Sequence, residues 1–475
     1  MPSRKIVCLG GGSLYFPRLL NDIALNADLA GSELVLYDLD LEKVEIMAEF
    51  GRTLANGHGA SLHIRATTDL ADAVDGANFA VSSIGGSGAS ITADVYGSHY
   101  HSADMHIPAR YGIHQVIGDT CGPAGMMMGL RSIPAYIAIC REMEQRCPGV
   151  ILLNHSNPMA PLMRALHKYT AITSIGICHG VQTGIIDAAK LLGVAPDELD
   201  CRWIGTNHYH WFTQVRHRGT DLLPELMRRT QTCAPPPHHT LSSALAGIYG
   251  YRIVYPDDAH TFEFTPFPTQ VAQQSELPHT LAAAAKEHGY DATKPLVNRT
   301  RITATTRRRF LEQYRAILAA MEMPREQDSS VTGEGVAAMI AAMATGRRMV
   351  CIANIANQGA IPNLPPTAEV EVEAVTDSAG VRPLVMGEAP PLLKALLERR
   401  FVWQELVADA AITGDRTTAL QALLIDEMAI LPDKAAAMLD ELLAASRDLL
   451  PQFFANTSNR CTASTGKRAN ANRCA

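Results

Sequence analysis

The chain has 475 residues, 47% of them hydrophobic and 19% charged, which is globular composition and enough length for two domains or one large bilobed enzyme. A formal net charge of -7 offers no electrostatic footprint for nucleic acid, and no dense Lys/Arg run suits an anionic membrane surface. No apolar stretch reaches the roughly 18 residues of a membrane helix, and the 10 cysteines form neither a CxxC pair nor a small disulfide scaffold.

The N-terminal MPSRKIVCLGGG runs straight into a strand without a leader-like apolar region, so a reduced, cytoplasmic protein is expected. Strands are expected at Lys5 to Leu9, Glu33 to Tyr37, Phe79 to Ile84, Val150 to Leu153 and Thr173 to Cys178. Helical patterns lie between them, at Tyr15 to Asn26, Leu41 to Ala55 and Met127 to Gln145, with another running to Leu192. This alternation predicts a parallel sheet with right-handed crossovers, hence an α/β chain whose Rossmann-like domain covers 1–195. A C-terminal α+β lobe is expected over 196–454, with helices at Arg299 to Met321, Gly333 to Ala344, Leu392 to Ala411 and Arg416 to Leu449. Strands are expected there at Met349 to Ala353 and at Glu369 to Val375, whose strict period of two reads as half-exposed. Residues 455–475, rich in Asn, Ser, Thr and Arg, read as a disordered tail.

Gly10-Gly11-Gly12-Ser13 stands between the first strand and the first helix, where a tight turn must let a pyrophosphate approach. The helix N-terminus then offers free N–H groups to the phosphates. Tyr15 occupies the place of the third glycine, but Asp38 closes the second strand. A carboxylate there accepts from ribose hydroxyls and repels a 2′-phosphate, so Gly10, Gly12, Ser13 and Asp38 point to NAD rather than NADP.

Three polar clusters follow successive strands at the edge where open α/β sheets bind ligands: Asn154 to Pro158, Cys178-His179 and Asn207-His208-Tyr209-His210. Cys178 and His208 could supply two metal ligands and leave positions open for substrate oxygens, as a catalytic metal requires. Equally, a buried Cys packs as a small hydrophobe, and either histidine could be satisfied in the core.

The chain resembles family four of the glycoside hydrolases, the NAD- and metal-dependent group of α-galactosidases, α-glucosidases, α-glucuronidases and 6-phospho-glycosidases. Carrying the resemblance are the GGGS turn, Tyr37-Asp38-Leu39-Asp40, Gly118 to Gly125, Leu130 to Pro134 and the Asn157-Pro158 turn. Cys178-His179, Asn207-His208, Asn357 to Ile361, Asn363-Leu364-Pro365 and the EVEVEAV strand continue it. It implies NAD and Mn²⁺ (or another divalent ion), with Cys178 and His208 as metal ligands and Asn157 as a sugar or metal contact. His179 would line the catalytic pocket; the Cys-His pair resembles the branch acting on non-phosphorylated α-glycosides. Asp119, in the Gly118 to Gly125 loop, is a catalytic candidate. Tyr255-Pro256-Asp257-Asp258 resembles the segment carrying the base, with Asp258 the best-placed carboxylate and Tyr251 and Tyr255 as alternatives.

The implied chemistry is hydride abstraction from C3 by NAD⁺, removal of the acidified C2 proton, elimination of the glycosidic oxygen, water addition and hydride return. The family also implies a two-lobed architecture like lactate and malate dehydrogenases, a homodimer or homotetramer, and a small-molecule glycoside as partner. Two departures, Gly85-Gly86-Ser87-Gly88-Ala89-Ser90 and Gly122-Pro123-Ala124-Gly125, fall near the expected sugar pocket. An acidic sugar is a further option, with Arg131, His155, His179 and His260 as candidates to face its anionic group. The competing readings are a 2-hydroxyacid or sugar dehydrogenase, which would accumulate NADH without metal, and a non-catalytic NAD- or sugar-binding protein.

Overall fold

A computed structural model describes residues 4–85, 90–91, 95–97, 99–287, 300–301, 303–324 and 335–455. Gly86 to Ala89, Arg299, Gly333 and the tail beyond 455, all subjects of the sequence reading, lie outside these residues.

The order at the start is β1 (Lys5–Leu9), α1 (Phe16–Leu25), β2 (Glu33–Tyr37), α2 (Leu41–Gly57), β3 (His63–Thr67), α3 (Leu70–Val74) and β4 (Phe79–Ser82). Ile6 to Leu9 are fully buried because helices cover both faces, so β1 is uniformly apolar rather than alternating. Each fully buried Leu, Ile or Val here contributes about 1.5–3 kcal/mol of transfer free energy. β3 and α3 escape the sequence reading. β3 is an edge strand burying only Ile64, so it has no apolar run to betray it.

The main sheet has nine strands. From the β3 edge the order is β3-β2-β1-β4, then Ile151–Asn154 and Thr173–Gly176, all parallel. The sheet does not stop at residue 195. Met349–Ala356 adds antiparallel through Asn354 opposite Gly176, and Glu369–Asp377 and Gly380–Pro383 follow. The second half of the chain therefore completes the sheet begun by the first.

Three expectations change in detail. Arg416 to Leu449 is split into Arg416–Ile425 and Pro432–Ala445, because Pro432 starts a new helix at its first turn. The helix expected from Met127 begins at Gly122, with Pro123 in its first turn. Glu369–Asp377 is buried almost throughout, against the half-exposed reading of its alternation. Two of its glutamates find partners within the fold: Glu369 meets His167 Nδ1 at 2.9 Å, and Glu371 meets His210 Nε2 at 3.2 Å and Asn207 Nδ2 at 3.4 Å. The second pair steadies the turn of the Leu199–Thr206/Tyr209–His217 hairpin, where His208 sits. Among the described residues no helix is long and apolar enough to cross a membrane.

Candidate active site

The carboxyl edge of the sheet gathers Gly10 after β1, Asp38 after β2, Ser83 after β4, Asn157 after Ile151–Asn154 and Cys178 after Thr173–Gly176. Gly10 has φ +78°, and a Cβ there would lie 2.4 Å from the Ser83 carbonyl oxygen, so glycine is obligatory. The Gly12 N–H donates to Asp38 Oδ2 at 2.9 Å, and Asp38 Oδ1 accepts from the Asp40 N–H at 3.2 Å. Ser13 Oγ lies 3.0 Å from Ser83 Oγ, tying the loop to β4. At the start of α1 the Tyr15 N–H donates to Ser13 Oγ at 3.3 Å and the Phe16 N–H to the Ser13 carbonyl at 3.1 Å, while Pro17 has no N–H, so the turn before the helix is already tied together. The residues expected to hold a dinucleotide thus come together in one glycine turn at the carboxyl edge of the sheet, where such a cofactor would sit.

Cys178 stands two residues before the Gly180–Leu192 helix, whose N-cap is His179, and the Gly180 N–H donates to its sulfur at 3.4 Å. His208 takes a left-handed backbone, φ +60°, that non-glycine residues seldom adopt. That conformation carries its ring to Cys178, with Nε2 3.2 Å from Sγ. Its other nitrogen, Nδ1, lies 3.2 Å from Thr120 Oγ1, and Thr120 gives its own hydroxyl proton to Asp119 Oδ1 at 2.6 Å. A hydroxyl has one proton, so Thr120 accepts from His208, and the imidazole carries its proton on Nδ1. The Nε2 lone pair is thereby aimed at the sulfur. A divalent ion held here would take that lone pair together with the Cys178 sulfur.

Asp119, His208 and His260 place ligand atoms within 4.8 Å of one another. Asn157 Nδ2 donates to Asp119 Oδ2 at 2.8 Å. The His208 and His260 rings stand 4.5 Å apart, and Tyr255 lies 5.5 Å from the first and 5.2 Å from the second. His179 is 6.2 Å from Tyr255. The structure therefore brings together Asp119, Asn157, Cys178, His179, His208 and Tyr255 with His260, which the sequence offers only as a contact for an acidic sugar. A thiolate, imidazoles and a carboxylate around one point are a donor set that suits a borderline divalent ion.

The electrostatics agree. Burial, then the cationic form of His260, pushes the His208 pKa well below its usual value, keeping it neutral. Burial opposes ionisation of Asp119, but His260, His208, Thr120 and Asn157 outweigh it and hold its pKa low. For His260 burial again opposes the charge, and Asp257, 2.5 Å from Nδ1, prevails with Asp119 to raise its pKa.

Three expected residues point elsewhere. Asp258 is 2% exposed, and its carboxylate accepts from the Leu241 and Ser242 N–H groups, each at 2.9 Å. It caps the Thr240–Tyr249 helix from a distance, while its neighbour Asp257 orients His260. Arg131 is buried against Asp104, Nη1 to Oδ1 2.9 Å, and also donates to Ser446 Oγ at 3.1 Å. His155 turns to the glycine-loop side, with Nε2 2.7 Å from the Tyr15 hydroxyl.

Glu263 was not singled out by the sequence. It is buried three residues after His260 and accepts from the N–H groups of Val116, Ile117 and Gly118, at 2.5, 2.6 and 3.1 Å. Burial, against those N–H bonds, pushes its pKa up to about 7. It thereby locks the loop before Asp119 to the helix bearing His260. Nothing in a Thr-Phe-Glu triplet signals this, since its partners lie 145–147 positions away.

The sequence models described as "Family 4 glycosyl hydrolase" and its C-terminal domain match residues 5–194 and 203–429. An alpha-galactosidase of Bacillus subtilis is 30% identical, over 95% of this chain and 100% of its own. An alpha-galacturonidase of the same organism is 30% identical over 89% of this chain and 93% of its own. A solved Bacillus subtilis structure described as a glucosidase superposes with a TM-score of 0.75 at 26% identity, covering 93% of this chain and 100% of that one. A 6-phospho-alpha-glucosidase from gut microorganisms, solved with NAD and Mn²⁺, also gives 0.75, at 24% identity over 95% and 100%. The chain belongs to family 4 of the glycosyl hydrolases.

Proposed function

We propose that this protein hydrolyses a non-phosphorylated α-glycoside, with NAD held by Gly10, Gly12, Ser13 and Asp38 and a divalent metal held by Cys178 and His208. The observation that carries this reading is the Cys178–His208 contact at 3.2 Å, with the imidazole tautomer set by Thr120. The alpha-galactosidase of Bacillus subtilis and that of Rhizobium meliloti, the latter 28% identical, support a non-phosphorylated sugar. The NAD and Mn²⁺ in the gut 6-phospho-alpha-glucosidase support the cofactor pair.

When bound, the cofactors supply a hydride acceptor for sugar C3 and a Lewis acid for the neighbouring oxygens. The chain's own residues do the rest. Asn157 and Asp119 hold a sugar hydroxyl beside the Cys178/His208 pair. His260, oriented by Asp257, accepts the C2 proton, with Tyr255 the alternative group on the same side. His179 faces the departing glycosidic oxygen. Asp258, expected as the base, has both oxygens engaged by backbone N–H groups and takes no part in this scheme. The reading further includes a cytoplasmic enzyme of two or four copies.

The test is turnover of aryl α-glycosides that requires Mn²⁺, NAD⁺ and reductant but accumulates no NADH. In D₂O, deuterium should appear at C2 of the released sugar; its absence from an active enzyme would sink the mechanism. A panel of α-galactoside, α-glucoside, uronide and sulfosugar then assigns the substrate.

A further inference from the structure

The Ala304–Ala320 helix lies in the second half of the chain, yet one of its side chains fastens onto the nucleotide loop of the first and another onto the start of α2. Tyr314, 2% exposed, donates its hydroxyl to the Gly12 carbonyl at 2.8 Å. Because the Gly12 N–H already binds Asp38 at 2.9 Å, both polar groups of this residue are fixed. Two turns earlier on the same helix face, Arg307 pairs with Asp40 at 2.6 and 3.0 Å and with Glu42 at 2.8 Å. These are the cap and first turn of α2, just beyond Asp38. Lys43 Nζ lies 5.6 Å over the Tyr314 ring. A Cβ on Gly12 would meet Asp38 Oδ2 at 3.0 Å and the Lys43 side chain at 3.1 Å, so the loop has no slack on this side.

We propose that the Ala304–Ala320 helix is a clasp on the dinucleotide site, in which Tyr314 and Arg307 hold the glycine loop ready for the pyrophosphate and slow the cofactor's departure. This rests on the NAD reading above. A preformed loop loses little conformational freedom on binding, so more of the contact energy appears as affinity. The arrangement also matches the chemistry. A dehydrogenase must exchange its nicotinamide every turnover, whereas an enzyme that returns the hydride to its product gains nothing from release. Tyr314 and Arg307 are positioning residues, since they act on the loop and on α2.

The test follows bound NADH fluorescence while excess NAD⁺ displaces it from the full-length Mn²⁺-loaded protein. Tyr314→Phe deletes only the hydroxyl, and NADH should leave about fivefold faster, the effect of one neutral hydrogen bond. Arg307→Ala should accelerate release at least as much, Arg307→Lys should recover part of it, and excess NAD⁺ should rescue turnover in each variant. Mn²⁺ affinity should stay at the wild-type value. Release within twofold of wild type in Tyr314→Phe overturns the clasp, as does faster release matched by an equal loss of Mn²⁺ affinity. Should Arg307→Ala fail to fold, Tyr314→Phe decides alone. Wild-type protein that binds no NADH overturns the cofactor reading itself, and the clasp with it.

Discussion

Thr120 and His208 are locked into one hydrogen-bonding sense. The Thr120 hydroxyl spends its proton on Asp119 at 2.6 Å and accepts from His208 Nδ1 at 3.2 Å, leaving Nε2 unprotonated beside Cys178. Outer-shell partners of this kind are typically worth about 10–100-fold in metal affinity. Thr120→Val should therefore weaken Mn²⁺ binding by roughly that factor while NAD⁺ affinity is unchanged, and Thr120→Ser should restore it. Calorimetric titration with Mn²⁺ reads this directly; an unaltered constant in the valine variant would remove the relay.

Adjacent aspartates should behave in opposite ways. Asp258 caps the Thr240–Tyr249 helix, so Asp258→Asn should cost about 1–3 kcal/mol of stability. Its pH profile at permissive temperature should match the wild type. Asp257 touches the imidazole of His260 and raises its pKa. If free His260 takes the C2 proton, kcat/KM rises with pH as His260 deprotonates. Asp257→Asn removes the group that favours the cation, so this limb should move to lower pH. Matching pH profiles for Asp257→Asn and wild type would assign the base to Tyr255.

The two cases show what the sequence could and could not reveal. Asp38 and the glycines were legible because strand, turn and helix follow one another along the chain, and Asp38 needs only to end β2. Choosing between Asp257 and Asp258 requires knowing how a one-and-a-half-turn helix, Asp258–Glu263, is rotated against Thr240–Tyr249. Side chains one position apart leave a helix on different faces, so the choice is made by packing. Tyr314 meets Gly12 across 302 positions and Glu263 meets Gly118 across 145, and neither has a local pattern to mark it. The EVEVEAV strand misled for the same reason. Alternation reports polarity, while His167 and His210 decide that the polar face is buried.

Arg131 was expected to meet an acidic sugar, and its burial beside Asp104 makes a different prediction. Side chains 2% and 1% exposed form this pair, so removing one leaves the other charge buried and uncompensated. Arg131→Met should destabilise the protein by about 3–5 kcal/mol, a loss of that order being usual when one partner of a buried pair is removed. Thermal unfolding measures that loss. The KM of whatever glycoside the panel identifies should change little in the folded fraction. A raised KM without loss of stability would return Arg131 to the sugar pocket.

If Asp38 sets the coenzyme preference, it does so with a carboxylate whose two oxygens are each already held by one backbone N–H. Oδ2 accepts from Gly12 and Oδ1 from Asp40, so the carboxylate is already fixed in place before any ribose arrives. Each oxygen retains acceptor capacity for a ribose hydroxyl. A 2′-phosphate brought to the same spot would meet a negative charge unable to turn away. Asp38→Ala should therefore weaken NAD⁺ binding while weakening NADP⁺ binding far less. The ratio of the two dissociation constants should fall by about tenfold or more, the equivalent of roughly 1.4 kcal/mol of lost discrimination. Fluorescence titration with NADH and NADPH gives both constants on one sample. An unchanged ratio would place the selection against the 2′-phosphate on another group. Arg307 is then the residue to examine, since its guanidinium is held by Asp40 and Glu42 just beyond Asp38.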